Sequence, residues 1–369
     1  MYWSFFYKIL SLIDPETAHN LVIKIIKNGF LPKIKTKSIP LNVMNIKFEN
    51  PIGLAAGFDK NAQTIDQIHK LGFGFSEVGT ITVFPQEGNP KPRIFRLPED
   101  KAIINRNGFN NDGLTLIKNR IKDFRKNNKP SNIKLGINIG PNKDSSDRIK
   151  DYTKLIHAFA KYADYLAINI SSPNTPNLRK LHADKNFKNL IISIKKEINK
   201  LNNCPPILVK ISPDLSDTEL KKLIKEIVKH KLNGLIISNT TVKRNVQSKY
   251  KYKEEAGGLS GEPLFEQSTK VLITARKILN DFGSRISIIA TGGVYDGKSA
   301  YIKILCGADL IQLYTGLVYK GPFVVKNILD QLDRYRKRDN IKNWEDVRGL
   351  AKSINEANKI VENGLNKKT

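Results

Sequence analysis

The sequence predicts an α/β chain folded as a (β/α)8 TIM barrel with a small N-terminal two-helix extension. Three observations predict it. Short apolar, β-branched runs recur eight times, helix-length segments of mixed polarity separate them, and each run is continuously apolar rather than alternating, as parallel strands buried on both faces require. At 369 residues the chain has room for one large barrel and an appendage, or for two ordinary domains.

The first forty residues differ from the rest. Tyr2, Trp3, Phe5, Phe6, Ile9, Leu10 and Ile13 crowd one helix-length stretch. Asp14-Pro15-Glu16 then starts a second helix with Pro15 in its first turn, and Ala18, Leu21, Val22, Ile25 and Ile26 follow at helical spacing beside Lys24 and Lys27. Gly29 stops it, and a basic linker covers 33–37. Residues 1–38 are assigned to this extension and 39–369 to the barrel. Two readings of the helix pair stand: a membrane-surface element with its apolar face in an anionic bilayer, or a cap on the barrel bottom.

The eight runs are 52–56, 75–80, 134–139, 165–170, 207–211, 234–238, 286–291 and 310–315. The competing architecture is an open doubly wound sheet, but its GxGxxG turn after the first strand is missing, since Gly53-Leu-Ala-Ala-Gly57 has a different spacing. Segment 81–132 is too long for a simple crossover, and Pro85, Pro90, Pro92 and Pro98 mark it as a loop or hairpin insertion covering the site. Beyond Tyr335, the stretch from Trp344 to Gly349 reads as a docking segment followed by a frayed basic end without chemistry.

Composition excludes more than it selects. No stretch of about 18 apolar residues exists to span a bilayer. A formal charge of +27 suits an acidic partner, whether nucleic acid, anionic lipid or a small acid, but heavy use of Lys, Asn and Ile throughout makes compositional drift the larger part of it. Cys204 and Cys306 are far apart with no CxxC, which argues against a disulfide framework or zinc and for a reducing compartment. No cleavable signal is expected, because Lys8 interrupts the apolar start and Asp14-Pro15-Glu16 follows. His69, His157, His182 and His230 read as ordinary surface or helix residues, and no metal site is expected.

Reacting groups in such barrels lie at the carboxyl ends of the strands, and here those ends are polar or glycine. Gly57-Phe58-Asp59-Lys60 follows the first run, Thr80 ends the second, and Asn138 lies in the third. Asn169-Ile-Ser-Ser172 ends the fourth, Lys210 the fifth, Ser238-Asn-Thr-Thr241 the sixth, Thr291-Gly-Gly293 the seventh and Tyr314-Thr-Gly316 the eighth. Singly, each is an ordinary turn former; together they suggest a lined pocket. Glycine-rich loops after the last two strands suit a phosphate-bearing cofactor. Lys60 and Lys210 at buried strand ends call for an anionic ligand or an electron-rich flavin. Asn105, Asn138, Asn169, Asn174 and Asn239 supply donors and acceptors for a flat, pyrimidine-like ring.

At this point the chain resembles the class 2 dihydroorotate dehydrogenases over almost its whole length. The matching strings are Gly53-Leu-Ala-Ala-Gly-Phe-Asp-Lys60, Asn105-Arg-Asn-Gly-Phe109, Asn169-Ile-Ser-Ser-Pro-Asn-Thr-Pro176, Asn239-Thr-Thr241, Gly257-Gly-Leu-Ser-Gly261 and Gly321-Pro322, in the family's order and at similar spacing. The resemblance implies bound FMN contacted by Ala55, Ala56, Thr80, Asn138, Asn169, Lys210, Ser238, Gly261, Gly293, Tyr314 and Thr315, with Lys210 facing the ring to stabilise its reduced, anionic form. It implies dihydroorotate held by Lys60, Asn105, Arg106, Asn107, Gly108, Phe109, Asn169, Asn174, Asn239 and Thr240, with Lys60 against the carboxylate.

The implied base is Ser172, removing a proton from C5 while hydride leaves C6, with Thr175 and a water beside Phe109 as relay. His19 and Arg96 resemble the family's quinone-end residues. The implied setting is a peripheral protein on the cytoplasmic face of a bacterial inner membrane, taking electrons from dihydroorotate to a membrane quinone in pyrimidine synthesis. Anionic lipid is an expected partner; nucleic acid and metal are not. Asn107 and Ser238 depart from the family, which commonly has Met or Leu and Thr there.

Rivals remain at this level: a class 1 dihydroorotate dehydrogenase, a dihydrouridine synthase, or a non-enzymatic basic module binding lipid or RNA. The first two use cysteine at the reacting centre, and none stands near residues 169–176. The last would interleave aromatics with its basic runs, and these are sparse outside the first helices and the stretch from Tyr250 to Tyr252.

Overall fold

The computed structural model describes residues 2–127, 133–175, 178–179, 184–247 and 252–365. Pro176, His182 and Tyr250 lie outside them, as do the side chains of Tyr2, Trp3 and Phe5. Helices α1 (Tyr2–Ser11) and α2 (Pro15–Lys27) come first. Asp14 caps α2 by accepting the Thr17 N–H at 2.8 Å, and Pro15 occupies its first turn, as the sequence predicts. A hairpin of β1 (Leu41–Val43) and β2 (Ile46–Phe48) follows, and its Val43 and Phe48 pack with Phe75, Tyr165, Leu208, Ile236 and Ile289 to close the amino end of the barrel.

The barrel strands are β3 (Ile52–Leu54), β4 (Phe75–Ile81), β7 (Lys134–Ile139), β8 (Tyr165–Asn169), β9 (Ile207–Ile211), β10 (Gly234–Ile237), β12 (Ser287–Thr291) and β13 (Leu310–Leu313). All pair in parallel with their neighbours, and β13 pairs back to β3, so the sheet is closed. These are the eight predicted runs, with bounds differing by two residues at most. Closure needs backbones in close approach: a Cβ on Gly53 would meet the Phe75 ring at 2.3 Å.

The insertion after β4 contains the hairpin β5 (Ile94–Leu97) and β6 (Ala102–Asn105), and β6 also pairs with β11 (Gly258–Gly261) to make a small antiparallel sheet above the barrel mouth. Helices α3 (Gly113–Asn127), α4 (Arg148–Phe159), α5 (Asp184–Ile198), α6 (Asp217–Lys229), α7 (Phe265–Asp281), α8 (Gly297–Leu305), α9 (Thr315–Lys320) and α10 (Val324–Arg338) follow their strands, and α11 (Ile354–Asn363) comes last. The core lies between strands and helices, with Tyr152, Phe159, Phe187 and Tyr301 wholly buried there.

Two expectations about the ends change. The stretch from Trp344 to Gly349 docks as expected, with Trp344 edge-on to Tyr301 at 6.0 Å and Arg348 paired with Asp309, but the described residues beyond it are not frayed, since α11 buries Ala357 and Val361. Its Ala/Ile/Val spacing is a helical apolar stripe that the basic composition around it obscures. The helix pair does not cap the barrel bottom, which the β1–β2 hairpin closes; it is anchored to the insertion, because Arg93 forks onto both carboxylate oxygens of Glu16 at 2.6 and 3.0 Å.

Candidate active site

Beneath the barrel mouth lies a layer of amides fixed by one another. Thr80 donates to Asn138 Oδ1 at 2.6 Å, Asn138 Nδ2 donates to Glu77 Oε1 at 2.8 Å, and Asn169 Nδ2 donates to Thr80 Oγ1 at 2.9 Å. Tyr165 and Gln312 donate to the other Glu77 oxygen at 2.9 and 2.8 Å. Alternation along a strand puts these groups on the inner face of the sheet, where only a closed polar network is tolerable. Glu77 is wholly buried, and Lys210 Nζ stands 3.9 Å from it. Burial lowers the Lys210 pKa and the Glu77 charge opposes that fall.

Above this floor a cavity opens, lined among others by Ala55, Ala56, Lys60, Thr80, Asn105, Asn107, Gly108, Phe109, Asn169, Ser172, Asn174, Lys210, Ser238, Asn239 and Thr240. Asn174 Nδ2 donates to the Asn105 carbonyl at 3.0 Å, Asn239 Nδ2 to Ser171 Oγ at 3.0 Å, and Asn239 Oδ1 accepts the Thr240 N–H at 2.8 Å. Ser172 is buried, and its Oγ accepts the Asn174 N–H at 3.2 Å. Thr175 is not among the lining residues, and its buried Oγ1 has no hydrogen-bond partner among the described residues. Asn107 directs its Nδ2 to Asn105 Oδ1 at 3.4 Å, while its own Oδ1 is buried and unpartnered among those residues. Phe109 holds a left-handed conformation, pinned by Asn111 Nδ2 donating to its carbonyl at 2.7 Å.

Lys60 supplies the positive charge. Burial pushes its ammonium down to about 8; Glu16 pulls upward, Arg93 downward and Asp59 upward. Asp59 accepts from Gln63 N, Thr64 N and Thr64 Oγ1 at 2.7–2.9 Å, which fixes the loop that presents Lys60.

Gly261, Gly292, Gly293, Thr315 and Gly316 also line the cavity, together with Lys101, Tyr319 and Lys320. Ser260 Oγ lies 2.8 Å from Thr315 Oγ1 and ties β11 to the eighth-strand loop. Amides and a lysine at one end, with glycine loops after the seventh and eighth strands at the other, fit a flat heterocycle carrying a phosphate tail.

A second, apolar cavity lies between the helix pair and the barrel, lined by Phe6, Leu10, Ala18, His19, Val22, Ile25, Phe58, Arg96, Tyr314 and Leu317 among others. Tyr314 lines both cavities. Its ring stands edge-on to Phe58 at 5.6 Å, and Phe58 is in turn edge-on to His19 at 5.3 Å. Burial and then the Lys60 charge push His19 down to about 3, so the imidazole is neutral, while Arg96 Nη1 donates to the Leu10 carbonyl at 3.0 Å. In and beside the helix pair, Leu12, Ile9, Leu21 and Phe30 are exposed. No helix among the described residues is long and apolar enough to cross a membrane.

The structure thus gathers most of the residues singled out in the sequence and divides them as expected between two places. Asn138 lies behind the lining, bonded to Thr80 and Asn169, and Thr175 is not part of the lining. Arg106 does not enter it: its guanidinium pairs with Glu255 at 2.5 Å, donates to the Pro92 carbonyl at 2.9 Å and lies over Phe95, so it braces the loop. Sequence reasoning missed Lys101, Ser260, Tyr319 and Lys320 in the lining and Glu77 in the floor. Ser260 lies inside the matched glycine-rich string and was legible there; Glu77 lies mid-strand, where no turn signal marks it.

Comparison with known proteins agrees with this geometry. The family model for dihydroorotate dehydrogenase matches residues 38–335. A dihydroorotate dehydrogenase (quinone) of Bartonella tribocorum is 47% identical over 345 residues, 92% of this chain and 94% of that one. The mitochondrial dihydroorotate dehydrogenase (quinone) of Oryza sativa is 41% identical, with 92% and 78% covered. The solved structure of DHODH in complex with ferulenol from Eimeria tenella superposes with a TM-score of 0.87 at 38% identity, covering 91% of this chain and 95% of that one. With two cavities meeting at Tyr314 and relatives of this similarity, the chain belongs to the dihydroorotate dehydrogenase family.

Proposed function

We propose that the protein oxidises dihydroorotate to orotate with FMN as bound acceptor and passes the electrons to a membrane quinone. One observation carries this reading: a polar, lysine-bearing cavity and an apolar one share the Tyr314 wall, so two unlike substrates reach one centre from different sides. FMN, when bound, supplies a two-electron acceptor that accessible protein side chains lack. Ala55, Ala56, Thr80, Asn169, Lys210, Ser238, Gly261, Gly293, Tyr314 and Thr315 would hold it, with Asn138 setting Thr80 and Asn169 from behind.

For the substrate, Lys60 pairs with the carboxylate, and Asn105, Asn107, Asn174, Asn239 and Thr240 meet the ring's carbonyl and N–H edges. Gly108 and Phe109 bound that space, while Arg106 acts only through the loop. Ser172 takes the C5 proton. A serine hydroxyl is a weak base, so its proton must leave as the new one arrives, and the buried, unpartnered Thr175 Oγ1 supports a relay route beside Phe109. The positive charge of Lys60 lowers the cost of negative charge on Ser172.

For the quinone, neutral His19 and the Arg96 guanidinium offer donors in an otherwise apolar channel. The exposed Leu12, Ile9, Leu21 and Phe30 support contact with a lipid surface, and basic Lys24 and Lys27 suit anionic headgroups. The setting proposed is peripheral, on the cytoplasmic face of a bacterial inner membrane. Residues 1–38 form the access unit and 39–369 the catalytic one.

Anaerobic mixing with dihydroorotate tests the reading. The flavin absorbance should bleach with formation of one equivalent of orotate, and Ser172→Ala should keep its flavin yet bleach roughly 10²–10⁴ times more slowly at neutral pH. Failure of the unaltered protein to bleach would mean the substrate is wrong; near-normal bleaching in the variant would remove Ser172 from its role.

A further inference from the structure

Outside the site, one buried lysine has no carboxylate partner among the described residues. Lys303, on α8, is wholly buried, and no carboxylate among the described residues lies within ion-pair distance of it. Its Nζ donates to Ser268 Oγ at 2.7 Å and lies 5.1 Å from the centre of the Phe265 ring. A lysine in such a place is costly unless something compensates its charge.

The compensation is found by following the hydrogen bonds. Ser268 Oγ accepts from Lys303, and its single proton has two carbonyls in reach, that of Phe265 in its own helix at 3.1 Å and, slightly nearer at 3.0 Å, that of Gly292. That carbonyl therefore points into the protein, toward α7. In a planar trans peptide the N–H points the opposite way, so the Gly293 N–H faces away from α7, on the side where Gly292 and Gly293 line the cavity. Both glycines have positive φ, 106° and 74°, and a Cβ on Gly293 would meet Phe265 Cα at 2.4 Å, so the loop is seated hard on α7 with its donor outward.

We infer that Lys303 is the buried counter-charge for the cofactor's phosphate, acting through Ser268 to hold and polarise the Gly292–Gly293 peptide that donates to it. Lys303 is thus a positioning residue, since a peptide and a hydroxyl separate it from the ligand. Burial alone pushes its ammonium down to about 7, opposed only by the Cys306 thiol, so an arriving dianion would supply the missing partner. A one-unit rise on binding corresponds to roughly tenfold in affinity.

This inference rests on the FMN reading, and its test separates the two. Holoprotein is diluted and released flavin read by fluorescence, giving the Kd for FMN; protein exchanged with riboflavin gives the phosphate-free comparison. In Lys303→Met and in Ser268→Ala the FMN Kd should rise roughly tenfold or more, with riboflavin affinity within about twofold of the unaltered protein. An unchanged FMN Kd, or an equal loss for both flavins, would overturn the inference and leave Lys303 a packing residue. Should Lys303→Met fail to fold, Ser268→Ala decides alone by the same criteria. Unaltered protein that holds neither flavin would overturn the cofactor reading and this inference with it.

Discussion

At the scale of single residues, the site depends on two lysines kept charged in poor surroundings by different means. Lys60 has a folded value of about 8, below the ordinary lysine range, because burial outweighs Glu16 and Asp59. The protonated form binds the substrate carboxylate, so orotate affinity should fall as pH rises through about 8, approaching tenfold per pH unit. A titration of orotate from pH 6 to 10 checks this, and Lys60→Met should flatten the profile at the weak limit. Lys210 relies on Glu77 alone among the described carboxylates. Replacing that charge in Glu77→Gln keeps acceptors for Asn138 or Tyr165 but lets burial lower the Lys210 pKa further. The alkaline limb of flavin reduction should move down by about one pH unit or more. An unmoved limb would show that Lys210 needs no partner.

At the scale of elements, the helix pair is attached through one buried ion pair. Burial opposes the Glu16 charge, but Arg93 by hydrogen bond and charge, then Lys91 and Lys60, hold the carboxyl below its usual value. A lowered folded value stabilises above the ordinary glutamate pKa, and that contribution disappears as pH falls through the folded one. Glu16→Gln should lose about 1–3 kcal/mol in urea unfolding at pH 7, and the difference should shrink below pH 4. The elements themselves were legible where physics is local: buried parallel strands read as unbroken apolar runs, and Asp14-Pro15-Glu16 is a cap followed by a helix start. β11 was not legible, because Gly258-Leu-Ser-Gly261 has no apolar run and becomes a strand only by pairing with β6 across more than 150 residues of sequence. α11 was passed over because its apolar stripe is embedded in charge. Arg106 was misplaced since a matching string fixes the position of a residue without saying which way its side chain turns.

For the whole molecule, the barrel gathers the polar residues at its carboxyl end while the appended helices wall a second, apolar cavity that meets it at Tyr314. The +27 charge does not require nucleic acid on this account; it suits anionic headgroups and an acidic substrate. The strand ends showed where the polar cavity would be, whereas the apolar one could not be read, because its walls come from α1, α2, β5, β6 and α9 and exist only once these pack. In the function proposed, two substrates use two doors to one flavin. Its most direct test is stopped-flow reoxidation of dihydroorotate-reduced protein by a short-chain quinone, compared with Val22→Trp, which fills the apolar cavity. The account predicts fast reoxidation by quinone but not by fumarate or NAD, and a reoxidation slowed by about tenfold or more in Val22→Trp with reduction unchanged. Equal slowing of both half-reactions, or none in either, would contradict it.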